Sequence, residues 1–493
     1  MCQLKIGWAE EEFVLTKPVS IIGQFAERIS EYIEKPITAT AFAVEANGDQ
    51  MVLCSVDLVA VSSYLLSTVR ERLKDNDAGL DPMKIVLAAT HIHTGPGYKG
   101  YGAMDYVRAM LEKELPSDKK YVERADTKRD DLMTADELLE EISSKIVKAI
   151  LDAWNDRKAG SYVNAFGRAV VGHCRRATYS DGTAQMWGDT NTAVFEALEG
   201  GNDSGIELLY IFDKDKKLTG VVANLACTAQ CVQHRSFVSP DFWGETKMLL
   251  RKHFGEGLFL LPLCSVAGDQ CPVDLIRWVE PESDVNDPNM IRKNPPIRKA
   301  DPSMFDLSGM RKAGKRVARE IIDVFAEGLD EMQSDVPFVH RVHRMQLPLR
   351  RVTLTEEKEA KRAIREYLAN KPGDVDYTDA ANLQVHLGVL TRKKVQDTVD
   401  ITEAEVHIIR LGNIAIATNP YEMFLDYGNQ IKARSSAEQT FLVQLANGSE
   451  GYVPTKKAEA GGHYSAFISS GNIGHQGGEQ LVRETLTAIR NMF

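Results

Sequence analysis

Short apolar runs separated by polar turns fill the N-terminal part of the chain. Apolar residues over 41–46 and 51–56 flank an Asn-Gly turn signal, which predicts a β-hairpin ending at Asp57. Helical spacing over 63–74 predicts a helix, and 84–90 has the pattern of a short buried strand. The segment Thr-His-Ile-His-Thr-Gly-Pro-Gly therefore begins where a strand ends, a position at which α/β folds expose functional loops.

The same patterns continue toward the C-terminus. Thr134 is predicted to cap a surface helix, because acidic residues follow it and apolar residues then recur at three- and four-residue steps. Further helices are predicted at 307–327, 355–369, 421–434 and 477–491. Strands are predicted at 207–213, 218–227 and 257–263, with a second hairpin formed by 404–410 and 413–418.

This mixture of elements indicates an α/β fold, with a mixed-sheet α+β arrangement as the alternative. We expect one large catalytic domain over 1–493, since no repeat of fixed period interrupts the pattern. Polar segments near 97–133 and 279–306 are predicted to be lids or insertions within it.

Charge and composition narrow the function. A formal net charge of −11 argues against a nucleic-acid partner and favours a small-molecule substrate. Residues 10–12 are three glutamates, where a secretory signal would be apolar, and no run approaches about 18 apolar residues. We therefore expect a cytoplasmic protein without stable membrane association. Seven cysteines, an odd number, favour reduced thiols over disulfides.

His91 and His93 are the first candidate functional residues. Two residues apart, they share one face of an extended strand, and in a turn either one can reach a common ion. Structural histidines with satisfied hydrogen bonds fit the same spacing. The pair is compatible with a metal site but does not establish one.

Several motifs in fixed order resemble the neutral ceramidases. Segment 90–96 resembles their Thr-His-Thr-His-Ser-Gly-Pro stretch, and Gly-Asp-Gln-Cys-Pro at 268–272 resembles Gly-Asp-Val-Ser-Pro. The remaining matches are Gly-His-Cys-Arg-Arg at 172–176, Ser-Pro-Asp-Phe-Trp-Gly at 239–244, Pro-Tyr-Glu at 420–422, and Gly-Tyr-Val-Pro-Thr at 451–455 followed by a second tyrosine. The resemblance covers nearly the whole chain and implies a neutral-ceramidase-like catalytic domain.

The resemblance also assigns roles to residues. It places His91, Glu422 and Tyr452 at zinc-ligand positions, His93 and Tyr464 beside the substrate, and Arg175 where an arginine holds the reacting group.

Each residue also has a purely structural interpretation. Glu422 would be favoured at the start of a helix over 421–434 by the helix dipole alone. The two tyrosines would be half-buried in a loop. Arg175 and Arg176 would be a solvated pair of charges.

The fourth zinc ligand is the first departure from the family. Its histidine position falls on Cys227 or Thr228, depending on one residue of register. Cys227 is chemically adequate because thiolates bind zinc, and Cys231 or His234 substitutes if the loop curls back. The alternative is that Cys227 and Cys231 are buried small hydrophobic residues.

Cys271 is the second departure, because it stands where the family has a serine important for amide cleavage. A thiolate would serve as a nucleophile if Arg175, His93 or the metal lowered its pKa. The interpretation we prefer is that Cys271 only helps to position water, and that zinc-activated water attacks.

The family's C-terminal β-sandwich domain is not found after the tyrosine pair, which argues against ceramide as substrate. We therefore predict a zinc-dependent amidohydrolase acting on an amide or ester bond in a small polar substrate. The alternatives are a lyase or isomerase that uses the same metal site, and a non-catalytic ceramidase-like binding protein.

Overall fold

The computed structural model describes residues 3–24, 28–74, 78–100, 105–122, 130–276 and 304–493. Its strands are β1 (Lys5–Glu12), β2 (Ser20–Ile21), β3 (Arg28–Ile29), β4 (Tyr32–Ile33), β5 (Thr38–Ala46), β6 (Asp49–Val56), β7 (Ile85–Ala89), β8 (Lys158–Arg168), β9 (His173–Cys174), β10 (Arg176–Tyr179), β11 (Ala184–Met186), β12 (Phe195–Leu198), β13 (Gly205–Asp213), β14 (Leu218–Leu225), β15 (Phe237–Val238), β16 (Phe259–Cys264), β17 (Gln270–Cys271), β18 (Phe338–Pro348), β19 (Ile401–Leu411), β20 (Ile414–Thr418), β21 (Glu422–Met423), β22 (Gln439–Val443) and β23 (Tyr452–Val453).

Most helices occur where the apolar spacing predicts them. They are α1 (Ser63–Leu73), α2 (Asp105–Glu114), α3 (Ala135–Asn155), α4 (Phe242–Phe254), α5 (Asp306–Asp323), α6 (Leu354–Asn370), α7 (Tyr377–Val395), α8 (Leu425–Arg434), α9 (Lys456–Gly461) and α10 (His475–Arg490). Thr134 caps α3 through a capping box with Glu137, as predicted. Among the described helices, none is long and apolar enough to cross a membrane.

An eight-stranded mixed sheet forms the centre of the fold, in the order β16-β14-β13-β8-β1-β5-β6-β7. Within this sheet, as described, only the β14–β16 and β6–β7 pairs are parallel. The hairpin of β5 and β6 confirms the Asn-Gly signal, because Asn47 (φ 53°) and Gly48 (φ 77°) both have the positive φ of a type I′ turn.

Alternating side chains on the central strands build two apolar layers. On β5, Ala39, Ala41 and Ala43 face a core shared with α1, α3, α4 and α5. Phe42 and Val44 face the opposite core, which the large sheet shares with a four-stranded sheet of order β18-β19-β20-β22. The far face of that smaller sheet is covered by α8 and α10. The layers therefore run helices, large sheet, small sheet, helices, which confirms the α/β class with mixed sheets.

Two predicted segments differ from the observed structure. The helix predicted at 421–434 begins only at Leu425, and Glu422–Met423 form β21, which pairs with β23 in parallel. The polar segment 97–133 is not wholly irregular, because it contains α2, whose Leu111 packs against α6 and α7. The insertion predicted at 279–306 lies almost entirely outside the described residues, and the division into domains stays a prediction.

Candidate active site

The site forms where strands of both sheets end close together. The loop after β22 connects them: Gln444 N donates to Cys264 O at the end of β16 (3.1 Å), and Ala89 N at the end of β7 donates to Leu445 O (3.3 Å). Asn447 adds a backbone hydrogen bond from its N to Leu87 O (2.9 Å). Residues 444–447 thus bring the segments that follow β7 and β16 to one place.

His91 is held in a fixed orientation at the end of β7. Its backbone has a φ of 61°, and its Nδ1 lies 2.7 Å from Val59 O. A carbonyl oxygen only accepts, so Nδ1 carries the proton and Nε2 presents a lone pair. Burial lowers the pKa of His91, which keeps the ring neutral at neutral pH.

Glu422 reaches His91 from β21, in a two-stranded ladder separate from the two larger sheets. The β21–β23 pairing sets Glu422 directly opposite Tyr452, so both side chains come from one short two-stranded ladder. Glu422 Oε2 lies 3.5 Å from His91 Nε2 and is buried without a hydrogen-bond partner among the described residues. The interpretation of Glu422 as a helix-start residue is therefore wrong, since α8 begins three residues later.

His93 contacts His91 and a glutamine that the motifs did not indicate. His93 Nε2 lies 3.3 Å from His91 Nε2 and 2.9 Å from Gln230 Nε2. Gln230 Oε1 accepts from Arg175 Nη1 (3.0 Å), and because arginine only donates, this contact fixes the amide with Nε2 toward His93. Gln230 therefore links the histidine pair to Arg175.

Arg175 and Arg176 are both buried, at 2% and 0% exposure, so a solvated pair of charges is the wrong interpretation. Arg175 Nη2 donates to Gly268 O (3.0 Å) and to the Tyr452 hydroxyl (3.4 Å). No carboxylate in the described residues forms an ion pair with Arg175, and its Nε has no acceptor there. An unpaired buried guanidinium is suited to an anionic group that arrives with substrate.

Arg176 holds the loop that carries Tyr464. It pairs with Glu199 through two hydrogen bonds (2.5 and 3.1 Å) and donates to Tyr464 O (2.9 Å) and Gly462 O (2.8 Å). The ring of Tyr464 packs edge-on against Tyr452, with centroids 5.5 Å apart. Both tyrosines therefore lie beside Arg175, and burial raises the pKa of Tyr452 well above its usual range.

The donor atoms of this cluster fit a zinc ion. Two ligands at about 2.1 Å from a tetrahedral zinc lie roughly 3.4 Å apart, and His91 Nε2 and Glu422 Oε2 are 3.5 Å apart. Both atoms offer lone pairs, and Glu422 Oε2 has no donor. In the described part of the chain, no three His, Cys, Asp or Glu side chains gather tightly enough to hold a metal on their own. A zinc ion here would need Tyr452 as a further ligand.

The candidates for the fourth ligand have other contacts. Thr228 Oγ1 donates to Gln230 Oε1 (2.5 Å), and Cys231 hydrogen-bonds Asp241. His234 is exposed, and its Nε2 lies 3.5 Å from Asp306 Oδ1. Cys227 is fully buried in the main core, its Sγ contacts Thr228 O (3.4 Å), and burial raises the pKa of its thiol strongly.

Cys271 lies on β17, which pairs with β9 so that Cys271 is opposite His173. Its Sγ donates to Val273 O (3.4 Å). Burial raises the pKa of Cys271 to about 12, and the nearby Arg175 only partly offsets this effect. In this environment the thiol is protonated at neutral pH.

The sequence motifs did not identify Gln230 or single out Arg176 as a positioning residue. The only signal for these two residues in the sequence is that each lies close to a candidate residue. Gln230 follows the segment aligned with the missing histidine by two or three residues, and Arg176 is adjacent to a candidate residue.

Two solved structures with this fold are ceramidases. The neutral ceramidase from Pseudomonas aeruginosa matches with a TM-score of 0.66 and 18% identity, over 100% of this chain and 75% of that one. A ceramidase complexed with C2 matches with a TM-score of 0.67 and 16% identity, over 100% of this chain and 76% of that one. Neither a family model nor a curated protein matches the sequence. At these identities the likeness establishes the fold, and this chain therefore has the fold of the neutral ceramidases.

Proposed function

We propose that this chain is a zinc-dependent hydrolase that cleaves an amide or ester bond in a small polar substrate. The observation that carries the proposal is the pair His91 Nε2 and Glu422 Oε2, buried 3.5 Å apart with lone pairs facing the same space. The ceramidase fold and the motif order support amide cleavage as the reaction.

His91, Glu422 and Tyr452 are the residues that would hold the metal. When bound, zinc would polarise the scissile carbonyl and lower the pKa of water. The Val59 carbonyl keeps His91 in the tautomer whose Nε2 is free to ligate. The β21–β23 ladder keeps Glu422 and Tyr452 side by side.

Arg175 supplies the positive charge for the transition state. Its guanidinium is buried and has no ion-pair partner among the described residues, so a developing oxyanion beside it would gain a charge-assisted hydrogen bond. We assign the second hydrogen bond to Tyr464, whose ring packs edge-on against Tyr452.

His93 is suited to moving the proton. Burial and the neighbouring His91 lower the pKa of His93 well below its usual range, so the ring is neutral at neutral pH. A proton taken from water would be held only weakly and passed on readily. The same ring would then deliver that proton to the leaving group. Gln230 Nε2 donates to His93 Nε2 (2.9 Å) while the ring is neutral, and this hydrogen bond would have to break if that nitrogen took the proton, because both atoms would then be donors.

The environment of Cys271 supports attack by water rather than by the thiol. A protonated thiol with a pKa of about 12 is a poor nucleophile. Its contact with a backbone carbonyl and its place opposite His173 are those of a structural residue.

The test combines metal content with turnover. The purified protein is expected to contain stoichiometric zinc, to hydrolyse members of a panel of amides and esters, and to lose activity on chelation. Cys271→Ser is expected to retain hydrolysis, with Cys54→Ser as a control for a buried thiol on β6. Activity that survives without zinc would refute the metal role, and loss of turnover in Cys271→Ser alone would restore the thiol as nucleophile.

A further inference from the structure

Three glutamine side chains form a hydrogen-bonded chain that leads from the surface to His93. Gln24 is exposed, Gln233 is half-buried and Gln230 is buried. Gln24 Nε2 donates to Gln233 Oε1 (2.9 Å), and Gln230 Nε2 donates to the same oxygen (3.2 Å). Gln230 ends the chain against His93 and Arg175. These neutral amides thus connect an exposed position to the candidate active site.

The contacts fix the orientation of each amide. Gln230 Oε1 must face Arg175, so its Nε2 faces Gln233. Gln233 Oε1 accepts from two amide nitrogens and must be the oxygen. This arrangement leaves the Gln233 Nε2 donor and the Gln24 Oε1 acceptor without hydrogen bonds to the described residues. A donor and an acceptor therefore remain available on two amide groups that are hydrogen-bonded to each other.

Charged groups next to the three glutamines already make hydrogen bonds within the protein. The Arg28 guanidinium donates to the backbone carbonyls of Arg235 (2.6 Å) and His93 (2.7 Å). Arg235 pairs with Asp306 through two hydrogen bonds (2.7 and 2.8 Å), and His234 also lies against Asp306. The Arg28 Nε has no acceptor among the described residues, but it is buried and out of reach of a ligand. Of the groups described here, the accessible free donor and acceptor are therefore those of the Gln233 and Gln24 amides.

We propose that Gln24 and Gln233 form a subsite for a neutral substrate group that both donates and accepts hydrogen bonds, namely a carboxamide or a hydroxyl. The proposal rests on the proposed hydrolase function, because it assigns the substrate class of the same site. An alkyl group at this subsite would leave the Gln233 donor and the Gln24 acceptor desolvated without partners. The subsite therefore selects a polar substituent over an apolar one.

The experiment compares three N-acyl amides that differ only at the end of the acyl group, which is a carboxamide, its isosteric isopropyl group or a carboxylate. For the wild-type chain we expect kcat/KM for the carboxamide to exceed that for the isopropyl compound by about tenfold or more. In Gln233→Leu and Gln24→Leu this ratio is expected to fall toward one, mainly through KM. Gln476→Leu, at an exposed position on α10, is the matched control and keeps the ratio.

Binding measured without turnover separates the subsite from the reaction. The corresponding methylene ketones cannot be hydrolysed, and calorimetric titration of the full chain gives their Kd. If no compound is hydrolysed but the Kd ratio falls in Gln233→Leu, the proposed reaction fails and the subsite stands. Equal affinity for the carboxamide and isopropyl ketones, a ratio unchanged by both variants, or a preference for the carboxylate would overturn the subsite.

Discussion

Replacing Arg176 by methionine tests whether the buried ion pair supports the active-site loop. The side chain of Glu199 is only 4% exposed, and Arg176 gives it two hydrogen bonds. Arg176→Met would leave that carboxylate buried without its cation, which costs about 3–5 kcal/mol of unfolding free energy. It would also remove the donors to the Gly462 and Tyr464 carbonyls. We expect lower stability together with lower turnover.

Chemical denaturation followed by circular dichroism gives the stability, with Arg72→Met as the control. Arg72 makes the same two-hydrogen-bond pair with Glu140, but the side chains are 32% and 67% exposed, so its loss costs less than about 1 kcal/mol. In Arg176→Met/Glu199→Leu the uncompensated charge is gone, and most of the stability returns. Turnover stays low because the loop carbonyls still lack donors. Equal stability of Arg176→Met and Arg72→Met would refute this account.

Three further predictions address the site and the pH dependence of stability. A Cβ at Gly23 (φ 101°) would lie 2.8 Å from Cγ of His93, so Gly23→Ala is expected to impair turnover. Gly48→Ala is the control: at φ 77° with no atom within 4 Å, it costs only the backbone strain of about 1–2 kcal/mol. Kinetics and chemical denaturation compare the two variants. Glu422→Gln is expected to lower zinc content measured by plasma mass spectrometry, and unchanged content would exclude it as a ligand. Burial lowers the pKa of His340 on β18 to about 3. The contribution of neutral His340 to the free energy of unfolding is therefore present above about pH 6.5 and is lost as the pH falls, by up to about 1.4 kcal/mol per pH unit. The stability difference between wild type and His340→Asn should shrink from pH 7 to pH 5, and a constant difference would contradict this prediction.

Local patterns in the sequence predict much of the fold. Asn47-Gly48 specifies a hairpin turn because both residues tolerate positive φ, and Thr134 with Glu137 specifies the start of α3 through a capping box. These signals act over a few residues, so they are readable without knowledge of the tertiary structure. Period-two alternation on β5 likewise gives two buried faces, although it does not identify the layer that covers each one.

The roles of Glu422 and Gln230 depend on long-range contacts that no local pattern contains. The helical spacing of apolar residues in α8 extends N-terminally to include Glu422, but pairing with Tyr452 places Glu422 in a strand. Gln230 bonds to Arg175, 55 residues earlier in the chain, and to His93, 137 residues earlier. Tertiary pairing therefore overrides local propensity at the places where the site is assembled.

The backbone around the site adds an independent argument that this cluster is functional. His91 (φ 61°), His463 and Ser465 (both φ 69°), and Asn447 (φ 57°) all adopt a left-handed conformation that non-glycine residues rarely occupy. Such residues cost about 1–3 kcal/mol each and persist only where their surroundings hold them.

Those surroundings are present at each position. Val59 O holds the ring of His91, and Arg176 holds the carbonyls around His463 and Ser465. Asn447 accepts from Leu87 N (2.7 Å) on β7. Specific contacts thus maintain strained backbone conformations on both sides of the His91–Glu422 pair. This is expected of a site whose side chains must be held in place before substrate arrives.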